Sequence, residues 1–218
     1  SVTSNVAGLT VLSRSAAGVY FGAFGGGLGN FAMYVRDDNT GVFLGYLPNS
    51  TAPVMNLNFV AGPNGTFLFN QGAILNGTSA GDEPVREASL APVNVSGTIA
   101  ADGSVSGTIT GGASASLTGT RSADSGTTQG HAGFFSAGAG TGSGTTYAIA
   151  NANGQILMVS QVGVNSDGGL GSVNGTGQVT VLTNRSIITA TINGSAGLIA
   201  GSISGALTGT FTGGSDLG

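Results

Sequence analysis

The chain repeats itself, and that constrains its fold more than any other feature. Ala17-Gly18-Val19-Tyr20 recurs as Ala132-Gly133-Phe134-Phe135, Phe31-Ala32-Met33 as Tyr147-Ala148-Ile149, and Gly41-Val42-Phe43-Leu44 as Gly154-Gln155-Ile156-Leu157. Farther on, Ser96-Gly97-Thr98-Ile99 recurs as Thr189-Ala190-Thr191-Ile192, and Leu117-Thr118-Gly119-Thr120 as Leu207-Thr208-Gly209-Thr210. The offsets run 115, 116, 113, 93 and 90, so the second copy is shorter and its largest deletion falls around residues 75–93. In copy one that stretch holds Asp82, Glu83, Pro84, Arg86, Glu87 and Pro92, the composition of an inserted loop. The division that follows is an N-terminal segment 1–15, a first repeat 16–124 with a loop insert at 76–93, a linker 125–130 and a second repeat 131–218.

Inside each copy the period is two. Val105, Gly107 and Ile109 alternate with Ser104, Ser106 and Thr108, and Ile188, Ala190 and Ile192 alternate with Thr189 and Thr191. Apolar and hydroxyl-bearing residues in alternation mark half-buried strands. Turn signals separate the runs about every ten residues: Asp37-Asp38-Asn39-Thr40-Gly41, Pro63-Asn64-Gly65, Asp102-Gly103, Asn153-Gly154, Asn193-Gly194. Asn-Gly and Asp-Gly predict type I′ hairpins. The expected fold is all-β: two tandem antiparallel meander repeats forming small barrels or sandwiches. Glycine recurs at inward strand positions, where it weakens a strand unless a ring or another backbone comes close. The ten phenylalanines and four tyrosines are the groups available to fill such notches.

Charge is sparse. Only 6% of residues are charged, all five cations are arginine, and the net charge is −4. No basic stripe is present, which argues against nucleic acid as a partner and against an anionic membrane surface. Cysteine is absent, so disulfides, thiolate metal sites and thiol catalysis are excluded. No run of eighteen apolar residues predicts a membrane-spanning helix. The chain starts at Ser1 with no apolar leader, and the expectation is a secreted protein whose signal peptide has been removed.

Few residues invite chemistry. His131 is the one histidine, and a catalytic triad needs a carboxylate to orient it. The acids are scattered singly, apart from Asp37-Asp38 and the insert's Asp82-Glu83. No catalytic residue and no cofactor is expected. Asp37, Asp38 and Asn39 offer hard oxygens at short spacing and form a weak calcium candidate, although turn chemistry alone asks for Asp and Asn there. The glycine-rich stretch 22–29 lacks the lysine and following helix of a phosphate loop and reads as a hairpin tip. Seven sequons occur, at Asn49, Asn64, Asn76, Asn94, Asn174, Asn184 and Asn193, and several sit in hairpin turns where asparagine is wanted anyway.

The tandem pattern of Ala-Gly-Val-Tyr-Phe-Gly at 17–22, Phe-Ala-Met-Tyr-Val at 31–35, Asp-Gly-Ser-Val-Ser-Gly-Thr-Ile at 102–109 and the two Leu-Thr-Gly-Thr closes resembles glycine- and threonine-rich β-strand repeat modules of bacterial surface or exported proteins. The resemblance spans residues 16–214. It implies an extracellular or cell-surface setting and an adhesive or structural role, with no catalytic residues to carry over.

One segment belongs to neither copy. Val6-Ala7-Gly8-Leu9-Thr10-Val11-Leu12 is strand-like and has no counterpart in the second repeat. A strand without a partner suits addition to a neighbour's sheet, with Val6, Leu9, Val11 and Leu12 as assembly residues. Soluble β proteins guard sheet edges with lysine, charge and proline, and this chain has no lysine and few charges. The expectation is therefore a non-enzymatic, self-assembling subunit of an extracellular fibre whose partners are copies of itself. The alternative is an adhesin or a module binding surface glycans, with Tyr20, Tyr34, Tyr46 and Tyr147 as flat faces for sugar.

Overall fold

The computed structural model describes residues 15–47, 52–72, 92–111, 114–139, 144–162 and 165–215. Eight strands come from the first repeat: β1 (Gly18–Phe24), β2 (Gly29–Val35), β3 (Thr40–Leu47), β4 (Ala52–Val60), β5 (Thr66–Gly72), β6 (Pro92–Ile99), β7 (Ser104–Thr110) and β8 (Ala115–Arg121). Eight come from the second: β9 (Gly133–Ala139), β10 (Gly144–Ala150), β11 (Gln155–Val162), β12 (Asn165–Val173), β13 (Gln178–Leu182), β14 (Ser186–Asn193), β15 (Leu198–Gly205) and β16 (Gly209–Ser215). Every pairing is antiparallel between sequence neighbours, plus β1 with β8 and β9 with β16. The second repeat is a closed barrel. The first is one eight-stranded sheet ordered β4-β3-β2-β1-β8-β7-β6-β5, rolled up but left without a ladder between β4 and β5. The two repeats are thus barrels rather than sandwiches.

The turns are built to one plan. The Arg36 N–H donates to the Thr40 carbonyl (2.8 Å) and the Asn39 N–H to the Arg36 carbonyl (2.9 Å). The same pair of bonds recurs at 62–66, 100–104, 151–155 and 174–178. The fourth residue of each has positive φ: Asn39, Gly65, Gly103, Gly154 and Gly177. Its carbonyl then accepts an N–H from the end of the next hairpin, as Asn39 does from Ala61, Gly103 from Arg121 and Gly177 from Ile192. The expected type I′ turns are not formed. Type I′ needs positive φ at both central residues, and Asn64, Asp102 and Asn153 do not have it. A three-residue loop whose last residue is left-handed serves instead, and the Asp or Asn side chain folds back on the backbone. Asp102 Oδ1 accepts the Ser104 N–H (2.8 Å) and hydroxyl (2.7 Å).

These turns also fix how the repeats correspond. Strand matches strand as the sequence predicts, β1 with β9 through β8 with β16, but three of the five sequence matches are out of register. The turns align Arg36 with Asn151, which sets Phe31 opposite Thr146 rather than Tyr147, and Asn39 opposite Gly154. Arg121 and Ser215 accept equivalent roles, which sets Leu117 opposite Phe211 rather than Leu207. Short apolar and Gly-Thr runs match at several shifts, and turn geometry chooses among them. The insert also ends earlier than expected: Pro92 and Val93 already belong to β6, with Val93 buried in the core.

Each barrel has its own core. The first is lined by Phe24, Phe31, Phe43, Phe59, Phe67 and Phe69, with Tyr20 and aliphatic residues. The second holds Phe135 and Phe211 among valine, isoleucine and alanine. Rings lie across rows of glycine on neighbouring strands, as in Phe31–Gly22–Gly119 and Phe67–Gly97–Gly107. A third cluster joins the barrels: Ala32, Val42, Leu44 and Met55 pack against Phe134, Ile149, Leu157 and Val159. Strand β3 is therefore buried on both faces, one toward its own core and one toward the second barrel.

Candidate functional site

The feature that sets the first barrel apart is the seam between β4 and β5. The two strands are joined by the turn 61–65, yet among the described residues β4 pairs only with β3 and β5 only with β6. Aromatic rings seal the seam from inside, with centroids 5.7 Å apart for Phe59 and Phe67 and 5.9 Å for Phe59 and Phe69. Outside, Leu57, Val60 and Leu68 are exposed, Leu68 at 69%. The turns assign Phe59, Phe67 and Phe69 to the places held in the closed barrel by Gly171, Val179 and Val181, where β12 and β13 do pair. Three rings replace a glycine and two valines at one place in the wall, and eight strands no longer reach round it.

The two edges of the seam differ. Strand β4 is irregular: Gly41 pairs with Phe59 but Phe43 with Asn56, so Leu57 and Asn58 bulge out, and the Asn58 N–H is held by the Asn56 side chain (2.9 Å). The strand lies against β12, with Met55 in the joint between barrels. Bulging and covering are devices that protect an edge. Strand β5, Thr-Phe-Leu-Phe-Asn-Gln-Gly, pairs with β6 without a bulge and has neither charge nor proline. The Thr66 carbonyl accepts Gly62 from the β4 side and the Gly65 carbonyl accepts Ile99 from the β6 side. Strand alternation then directs the main-chain groups of Leu68 and Asn70 toward the seam.

A second polar feature lies at the joint between barrels. Asp167 of β12 is wholly buried. Its Oδ1 accepts the Tyr46 hydroxyl of β3 (3.1 Å) and the Gly168 N–H (2.9 Å), and its Oδ2 accepts the Thr183 hydroxyl (2.7 Å). Arg185 stands nearby and donates to the Ser166 carbonyl. Burial first, then the adjoining Asp167 carboxylate, push the Tyr46 phenol up to about 12. The cluster is closed on itself and serves as a polar tie between the barrels.

The chain matches no family model, no curated protein and no solved structure.

The residues singled out from the sequence fall as follows. Val6, Leu9, Val11 and Leu12 lie outside the described residues, as do Asp82, Glu83 and Glu87 of the insert. Asp37, Asp38 and Asn39 form the β2–β3 turn. Asp38 Oδ1 accepts the Thr40 N–H (2.8 Å) and hydroxyl (2.7 Å), which holds its carboxyl below the usual range, and Asn39 Oδ1 accepts the Ala16 N–H (3.3 Å). Among the described residues no three of His, Cys, Asp or Glu gather as a metal site would require. His131 ends a short helical turn and packs under Gly177, and its buried Nδ1 has no hydrogen-bond partner among the described residues. Gly25–Gly27 form the tip between β1 and β2. Asn174 and Asn193 spend their side-chain oxygens on turn N–H groups. Tyr20 and Tyr46 are buried and hydrogen-bonded, while Tyr34 and Tyr147 pack at the joint between barrels. The described tyrosines therefore form no exposed aromatic row for a sugar.

Sequence reading missed the joint between barrels and the seam. The joint had a signal: Val42-Phe43-Leu44 and Ile156-Leu157-Met158-Val159 are unbroken apolar runs among alternating ones, which is how strands covered on both faces read. The seam had a weaker one, the concentration of phenylalanine in copy one.

Proposed function

We propose that this protein is a non-enzymatic structural subunit that assembles with copies of itself by strand addition, in an extracellular or cell-surface setting. The observation that carries the reading is the edge of β5, unpaired among the described residues, regular, uncharged and free of proline, in a barrel whose twin closes. An edge left unguarded is a template for a further strand. The chain's own N-terminal segment has the apolar composition of such a strand. The extracellular setting is supported by the tandem-module resemblance and the scarcity of charge.

Removal of residues 1–14 tests the reading. The shortened chain is expected to keep its β-sheet circular-dichroism signature and to stay monomeric, while the full chain forms filaments on negative-stain grids. Filaments of undiminished yield from the shortened chain would sink strand donation.

A further inference from the structure

We infer that the acceptor is the β5 edge of a second copy, and that the strand it accepts is Val6–Leu12, antiparallel to β5; the inference rests on the self-assembly proposed above. Of the two edges bordering the seam, β4 is bulged at Leu57–Asn58 and lies against β12, whereas β5 is regular along its length. Leu68 and Asn70 turn their main-chain groups to the open side, and Leu68 exposes its side chain there. Val6–Leu12 has seven residues and so has β5. Both are uncharged, so no buried ion results from their pairing.

The place where the described chain begins decides between the protein's own edge and a neighbour's. Ser15 and Ala16 share a cavity of about 140 Å³ with Pro63, Asn64 and Gly65, the turn joining β4 to β5. The Ala16 N–H is tied to Asn39, and its carbonyl to the Tyr20 hydroxyl at 2.6 Å. For Val6–Leu12 to pair with its own β5, the chain would have to double back within Leu12-Ser13-Arg14-Ser15-Ala16-Ala17. The turns at this end of the barrels carry a glycine or asparagine at positive φ, at residues 39, 65, 103, 154, 177 and 197. The joint 12–17 has neither residue type. A chain that continues outward instead has a reach of roughly 3.3 Å per residue, about 45 Å over fourteen residues, enough to lie along another subunit.

The absence of native cysteine makes disulfide mapping clean. Full-length chains carrying Thr10→Cys are mixed with chains carrying Thr66→Cys, Leu68→Cys or Asn70→Cys, all exposed positions on β5, and oxidised during assembly. The expected result is a cross-linked dimer between different chains, strongest at one of the three β5 positions and absent with Val60→Cys on β4. As a second variant, Leu68→Lys, a charge on an exposed side chain, is expected to keep the fold and lose the filaments. A cross-link inside one chain of the double variant, without mixed dimers, overturns the neighbour as occupant. Preferential capture by Val60→Cys, or filaments with no cross-link to any β5 position, overturns β5 as acceptor and leaves self-assembly standing. A full chain that forms no filaments removes both proposals.

Discussion

A β-carbon at Gly22 would sit 2.4 Å from the Phe31 ring and 2.3 Å from the Thr118 carbonyl; at Gly97 it would sit 2.6 Å from both the Phe67 ring and the Ser106 carbonyl. Glycine is there so that the ring can lie flat against the wall. Because the backbone itself blocks the added carbon, Gly22→Ala is expected to cost about 1–3 kcal/mol in chemical denaturation. Gly138→Ala is the contrast. Its added carbon meets nothing within 4 Å among the described residues, and the change is expected to be neutral or to stabilise by up to about 1 kcal/mol. Tyr46 supports a second residue-scale prediction. Tyr46→Phe keeps the packing but takes one donor from buried Asp167, and is expected to cost about 1.5–3 kcal/mol. The phenol's folded pKa of about 12 lies above its unfolded value of 10.0, so its contribution is complete below pH 10 and lost as pH rises toward 12. Denaturation midpoints of the wild type should fall across that window more steeply than those of Tyr46→Phe, and one of the four tyrosines should ionise last in an absorbance titration.

Among the elements, the turns carry the register. Each left-handed residue lends its carbonyl to the neighbouring hairpin, so a turn that deforms loosens two strand pairs rather than one. Gly103 has φ +86, and an added carbon would meet the Arg121 side chain at 2.8 Å. Gly103→Ala is therefore expected to lower stability by about 1–3 kcal/mol and to speed amide exchange at Arg121, on the far side of the bond that its carbonyl makes. An Asn39→Gly substitution relaxes the one non-glycine positive φ among the described residues, and thermal melting should show no loss beyond that of the Ala16 contact. Strands and turn positions were legible because period-two alternation and Gly, Asn and Asp punctuation are local properties. Turn type was not, because Asp-Gly and Asn-Gly fit two hairpin geometries that differ in the conformation of their first residue. Register between repeats was not legible either, since short apolar runs fit nearly as well at shifts of one or two residues and the Leu-Thr-Gly-Thr run at a shift of four.

For the whole molecule, two copies of one plan diverge in what fills them. Six phenylalanines line the described core of the first barrel and two that of the second. The closed barrel presents Leu157 and Val159 outward, and the first barrel leans its β2, β3 and β4 on them, while among the described residues no strand pairs with the outer edge of β5. The sequence carried the aromatic excess openly, but not its consequence. Where a ring stands in a wall depends on strand register, and the register came from the turns. Segment 6–12 lies outside the described residues, and the open β5 edge was not legible, because an edge belongs to the arrangement of strands and not to any one of them. Residue-resolved hydrogen exchange at Leu68 and Asn70 puts the account to its most direct test. In assembled material these two amides should exchange far more slowly than in dispersed monomer, while the β4 amides at Leu57 and Val60 change little. Filaments in which Leu68 and Asn70 exchange as fast as in the monomer would contradict strand addition at β5.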